Sequence, residues 1–129
     1  MSRDFLLIAK GEHTLGFADL VAQALNHWPG ATFVEERDQK KGIWGSLIIR
    51  QPPRQDLSLF LMSAGSDGSD RGINLDGAVE TAAEFLAWLT SRPAFPSDSV
   101  VVWDWGSGPA RLHPNMTSEK LLEILETYE

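Results

Sequence analysis

Residues 43–63 read IWGSLIIRQPPRQDLSLFLMS, and this stretch decides the class of fold. It contains two apolar runs, 43–50 and 57–63, separated by a short polar segment with two prolines. Leucine occupies alternate positions from Leu57 to Leu61, so these side chains share one face of a β-strand. Because a parallel crossover needs about a dozen residues or more, the short connection favours an antiparallel pair of strands.

Helix and strand patterns extend from this pair in both directions. Upstream, an apolar run predicts a strand at 5–9, and apolar residues at helical spacing predict a helix over 17–28. Downstream, Asp76 is expected to cap a helix that runs to about Ser91, and Thr117 is expected to cap the last helix. Shorter apolar segments predict strands at 32–35, 100–103 and 110–112, and the Gly/Ser/Asp-rich segment 65–72 predicts a loop.

These elements follow one another in the order β-α-β-β-β-α-β-(β)-α, within a single domain that spans residues 1–129. Three helices on a mixed, mainly antiparallel sheet form an α+β architecture. The first strand and the helix after it also allow one parallel strand pair. With 43% apolar residues, a chain of this length can bury a core without disulfides.

The charge of the chain is concentrated in its second half. Residues 1–64 carry seven Lys/Arg and seven Asp/Glu, whereas residues 65–129 carry four and eleven and account for the net charge of −7. Such a surface repels phosphate backbones, so we expect no nucleic acid partner and favour a basic protein. The simpler interpretation is that the acidic residues keep the protein soluble.

Composition also limits cofactors and location. The sequence has no cysteine, which excludes disulfides and thiolate metal sites. Asp67 and Asp70 could attract a cation, but Ser69 and Arg71 depart from the pattern of a calcium-binding loop, so we predict no metal and no other cofactor. No stretch is long enough to cross a membrane and the first residues do not resemble a signal peptide, so we expect a cytoplasmic protein with no membrane partner.

A hydrolytic triad is one alternative function. Asp104, Ser107 and His113 lie close together in the sequence and are the residue types that such catalysis requires. The nucleophile-elbow pattern is absent, because Ser107 lies in a Gly-Ser-Gly turn. The preferred prediction is therefore that the chain has no catalytic residues.

The acidic second half contains the residues that we expect to bind a partner. Glu80 and Glu84 are four residues apart on a predicted helix, so they share one face and their like charges destabilise the helix slightly. Tolerance of that cost favours a basic partner. Tryptophan commonly anchors interfaces, and Trp105 lies beside a glycine near a strand end. The predicted partner-binding residues are Asp67, Asp70, Glu80, Glu84, Asp104 and Trp105.

Residues 84–95 read EFLAWLTSRPAF, a helix that runs into a proline turn ahead of the apolar strand at 100–103. Together with the size, the acidity and the α+β pattern, this segment resembles the immunity proteins of bacterial polymorphic-toxin systems. The resemblance implies tight binding to a cognate toxin and blockage of the toxin's active site. We therefore predict a non-catalytic, protein-binding inhibitor, and the alternatives are the small hydrolase and a structural subunit that self-associates through a strand edge or a tryptophan.

Overall fold

A computed structural model of the chain describes residues 3–10, 16–35, 43–50, 56–64, 70–92, 95, 100–104 and 110–127. These residues form seven strands and three helices. The strands are β1 (Arg3–Ala9), β2 (Thr32–Glu35), β3 (Ile43–Ile49), β4 (Leu57–Ala64), β5 (Asp70–Gly77), β6 (Val100–Asp104) and β7 (Ala110–Arg111). The helices are α1 (Phe17–His27), α2 (Val79–Thr90) and α3 (Ser118–Thr127).

The strands form one sheet in the order β2-β3-β4-β5-β1-β6-β7. Every strand pairing among the described residues is antiparallel, and the two runs of the 43–63 segment pair directly as β3 and β4. The α+β class, the three helices and the antiparallel sheet are thus confirmed. Strand β1 forms no parallel pair, because β5 and β6 flank it and both run antiparallel to it.

Strand β5 is the element that the sequence patterns do not predict. The predicted loop at 65–72 and the predicted cap at Asp76 give way to a strand, in which Asp76 pairs with Asp4 of β1; residues 65–69 lie outside the described part of the chain. Helix α2 begins after Ala78 instead. Glycine and polar residues fill much of β5, so its own composition is weak for a strand, and pairing with β1 and β4 on both sides stabilises it.

Side chains alternate between the two faces of the sheet. On one face they are apolar and fully buried in the central strands, and they form a single cluster with the buried residues of the helices. Burial of a leucine-sized side chain contributes about 1.5–3 kcal/mol, so this face provides most of the folding free energy. Its members in the strands include Phe5, Leu7, Leu47, Leu57, Leu59, Leu61, Ile73, Leu75 and Val102.

The helices cover this buried face. Trp28, at the end of α1, packs on Phe85 and Trp88 of α2 with ring centroids 6.0 and 4.9 Å apart. Helix α3 packs against α2 and buries Leu121 and Leu125 in the same cluster. None of the helices in the described ranges is long and apolar enough to cross a membrane.

A close approach of two strands requires glycine at position 45. A β-carbon at Gly45 would lie 2.5 Å from the ring of Phe33 and 2.8 Å from the carbonyl oxygen of Val34. The register of β3 against β4 shifts at this point, and Trp44 packs between Phe33 and Phe17, with centroids 5.4 and 5.6 Å away. This contact joins α1 to the β2–β3 edge of the sheet.

None of the three described helices packs on the opposite face of the sheet. We call it the open face and define it by Leu6 and Ile8 of β1, Ile48 of β3, Phe60 and Met62 of β4, and Asn74 of β5. All six side chains are at least partly accessible.

Candidate functional site

The described part of the chain contains a cleft between α2 and α3. Its volume is about 190 Å³, and three glutamates surround a small apolar floor. Glu80 and Glu119 are exposed and Glu84 is half-buried, whereas Ala83 is buried. We call this site the acidic cleft; its lining residues are Glu80, Ala83, Glu84, Ser118, Glu119 and Leu122.

The spacing of residues on α2 places both predicted glutamates at the cleft. Glu80 and Glu84 are one helical turn apart, and Ala83 lies beside them on the same face. The apolar positions of α2 point into the core, so the glutamate face remains toward solvent. Glu80 is also in the first turn, where the helix dipole favours a negative charge, and this offsets part of its repulsion from Glu84.

Thr90 determines how α3 lies against α2. It is fully buried, its hydroxyl oxygen accepts a hydrogen bond from the Met116 N–H at 3.2 Å, and its hydroxyl donates to the Ala87 carbonyl at 3.2 Å. The Thr90 carbonyl accepts a further bond from the Asn115 N–H at 2.7 Å. Asn115 has φ of 61°, a left-handed conformation that asparagine tolerates. The turn therefore brings the first residues of α3 beside α2.

The start of α3 is capped as predicted. The Thr117 hydroxyl oxygen accepts a hydrogen bond from the Lys120 N–H at 3.2 Å. Glu119 follows in the first turn, where the helix dipole again favours a carboxylate. Helices α2 and α3 thus both begin with an acidic first turn. The charged residues of the two helices are Glu80, Glu84, Glu119, Lys120, Glu123 and Glu126.

The cleft matches the chemistry of a basic side chain. Its volume is below the 300–1,000 Å³ that is typical of small-molecule pockets, but it can admit the end of one lysine or arginine. The stem of such a side chain can pack on Ala83 and Leu122 while its charged group meets the carboxylates. The arrangement is therefore suited to one residue of a protein partner.

Of the other four predicted partner-binding residues, Asp70 alone has a described side chain, and it does not line the cleft. Asp70 lies at the start of β5, one strand length of about 23 Å from Gly77, which is close in sequence to Glu80. Asp104 is the last residue of β6, and its backbone lies opposite Phe5 of β1. Asp67 and Trp105 lie outside the described residues. Asp70 therefore lies at the opposite end of β5 from the residues that lead into α2.

Glu119 is the cleft residue that the sequence reasoning missed. A signal was present, since Glu119 and Glu123 repeat the four-residue spacing of Glu80 and Glu84. Only the packing of α3 on α2 shows that the two acidic helices meet. Local patterns do not specify that contact.

Two of the candidate hydrolytic residues lie at or near the β6–β7 strand pair: Asp104 ends β6, and His113 lies two residues after the end of β7. Val102 pairs with Ala110, so Asp104 lies toward the connection and His113 lies toward the other end. At about 3.3 Å per residue, Asp104 lies about 10 Å along the strands from the level of Arg111, the last residue of β7, and His113 follows two residues later. His113 is exposed, and Ser107 lies outside the described residues. The register thus does not bring Asp104 and His113 together as a triad requires.

No group of three or more Asp, Glu or His side chains in the described residues could hold a metal ion. The chain matches no protein-family model, and no solved structure is significantly similar to it.

Proposed function

We propose that this chain is a non-catalytic protein-binding module that inhibits a basic partner, in the manner of an immunity protein that blocks the active site of its toxin. The acidic cleft is the observation that carries the proposal, because it combines three carboxylates with an apolar floor at a helix–helix junction. A positively charged anchor residue of the partner fits this site.

The charge distribution supports inhibition by occlusion. Helices α2 and α3 carry five glutamates and one lysine, so their outer side presents a negative field to an approaching molecule. Such a field accelerates encounter with a basic surface. Enzymes that act on negatively charged substrates have basic active sites, so an acidic module can cover such a site and exclude the substrate.

The proposal predicts that binding depends on the cleft carboxylates. The test variant is Glu80→Gln/Glu84→Gln/Glu119→Gln, which removes three charges while it keeps side-chain size and helix propensity. Its control is Glu35→Gln, which removes one charge at an exposed position of the edge strand β2 and is compared with each of the three cleft substitutions made singly, so that the change in net charge is equal.

The measurement has two steps. The tagged wild-type chain first captures its partner from lysate of the native host, and surface plasmon resonance then gives rate constants for each variant. A charge pair at 6–8 Å contributes about 0.5–0.7 kcal/mol in water, so loss of three is expected to weaken binding about 10- to 30-fold, mainly through association at low salt.

The control variant should bind within about threefold of wild type, since β2 lies at the edge of the sheet, three strands away from β5, which leads into α2. Equal weakening by both variants would show that only net charge matters and would contradict a role for the cleft. A partner whose activity is unchanged when it is saturated with this chain would contradict inhibition.

A further inference from the structure

The open face carries more apolar side chains than is usual for a sheet face in contact with solvent. Strand β5 is the middle strand of the seven, and on this face it presents the small residues Gly72 and Asn74. Leu6 and Ile8 flank them on β1, and Phe60 and Met62 flank them on β4. An antiparallel sheet with one solvated face normally alternates apolar and polar residues along its strands, and β1 and β4 depart from this pattern.

Asn74 lies at the centre of the face with an unmet hydrogen-bonding group. Its side-chain oxygen is buried and accepts no hydrogen bond from the residues that the structure describes. An unsatisfied buried polar atom is costly, and in a native protein it calls for an explanation. An amide of this kind can turn and pair with a second amide across an interface, as buried asparagine pairs do in dimeric coiled coils.

The two ends of the open face differ in charge. At one end Asp4 and Asp76 are directly opposite each other, and such like-charged pairs destabilise a sheet. The other end carries two basic residues and one acidic residue. Lys10 follows β1, Arg111 of β7 pairs with Val101, and Asp70 is the acidic residue at this end. If the open face of a second copy packed on this one with its strands reversed, the basic end of each copy would lie against Asp4 and Asp76 of the other.

The size of the face is sufficient for reversible association. Four strands at about 4.8 Å spacing and seven residues at about 3.3 Å cover about 440 Å² per copy. Two copies together cover about 890 Å², the size of a weak, transient interface. We infer that the open face binds a second copy of this chain, sheet against sheet, about a two-fold axis that passes near Asn74 and reverses the strand direction.

A two-fold axis at this position explains the three observations together. It places Asn74 opposite its own copy at the sheet spacing of about 10 Å, where two amides can meet. In this arrangement the apolar residues of β1 and β4 are covered on both copies. The acidic ends of the two copies also lie at opposite ends of the interface. The inference does not depend on the proposed function, because the acidic cleft belongs to the helices on the other side.

The first test measures mass against concentration by sedimentation equilibrium. Wild type is expected to shift from monomer to dimer across the micromolar range. Phe60→Glu should weaken dimerisation at least tenfold, because Phe60 lies on the open face. Leu25→Glu is the matched control and should not weaken it: Leu25 is as exposed as Phe60, 38% against 39%, but it lies on α1. Phe60→Thr, which keeps strand propensity, separates loss of the interface from loss of folding.

The second test uses the absence of cysteine from the sequence. Asn74→Cys introduces a single thiol at the proposed axis, and a short bis-maleimide should join two copies in high yield. Leu25→Cys should give little cross-linked dimer. A monomer at all concentrations, or a dimer that Phe60→Glu leaves intact, would overturn the inference, as would equal cross-linking at the two positions.

Discussion

Substitution of Thr90 by valine tests how α3 is held against α2. The two side chains have nearly the same shape, but valine lacks the hydroxyl that accepts the Met116 N–H at 3.2 Å. A buried donor left without an acceptor costs about 1–3 kcal/mol, and the methyl that replaces the hydroxyl offsets about 0.8 kcal/mol of this. Because Met116 is only partly buried, we expect a cost near the lower end of this range, so that unfolding requires about 1–1.5 kcal/mol less free energy.

Urea denaturation followed by tryptophan fluorescence measures this change, and calorimetry should show a melting temperature lower by about 3–8 °C. Two variants serve as controls. Ser91→Ala removes an exposed hydroxyl that bonds the Trp88 carbonyl at 2.7 Å, and it should alter stability by less than about 0.5 kcal/mol. Thr90→Ser keeps the hydroxyl. If Thr90→Val is as stable as wild type, or more stable than Thr90→Ser, packing rather than hydrogen bonding holds this junction and the reasoning is refuted.

Two further substitutions test the packing of the sheet edge and of α1. Gly45→Ala should lower the free energy of unfolding, measured by urea denaturation, by about 1–3 kcal/mol, because the new methyl group meets the ring of Phe33. Gly16→Ala is the control and should cost less, because nothing lies within 4 Å of a β-carbon at that position. Equal costs for the two variants would contradict the close approach at Gly45. Arg92→Met should lower stability by about 1 kcal/mol, and by less at high salt, because the Arg92 guanidinium donates to Asp19 at 2.8 Å and lies over the Trp88 ring, with Cζ 5.5 Å from its centroid. A loss independent of salt would contradict the ionic contribution.

Most elements of this fold have strong local signals. The alternating leucines of β4 predicted the strand and the side chains that share one face, and that face is the buried one. The apolar stripe of α1 likewise includes the buried residues Phe17, Leu20, Val21 and Ala24, whereas Leu25 of the same stripe is exposed. At these positions local preference and tertiary packing agree.

Prediction failed where tertiary contacts dominate local preference. Strand β5 has only two large apolar residues, Ile73 and Leu75, and its remaining positions are typical of a turn. Pairing with a strand on each side forms the element, and no local pattern reports that pairing. The same holds for the acidic cleft: Glu80 and Glu84 were predicted from spacing, but Glu119 joins them only because α3 packs on α2.

The two proposed surfaces can operate together because the sheet separates them. Glu80, Glu84 and Glu119 lie on helices that cover one side, whereas Phe60 and Asn74 lie on the open face of the other. In a sheet-to-sheet dimer the helices therefore point outward, and each copy keeps its acidic cleft accessible. Such a dimer presents two clefts facing away from each other, so two partner molecules can bind without contact between them. Dimerisation would then raise the apparent affinity for a partner that is itself dimeric or surface-bound, without any change in the cleft.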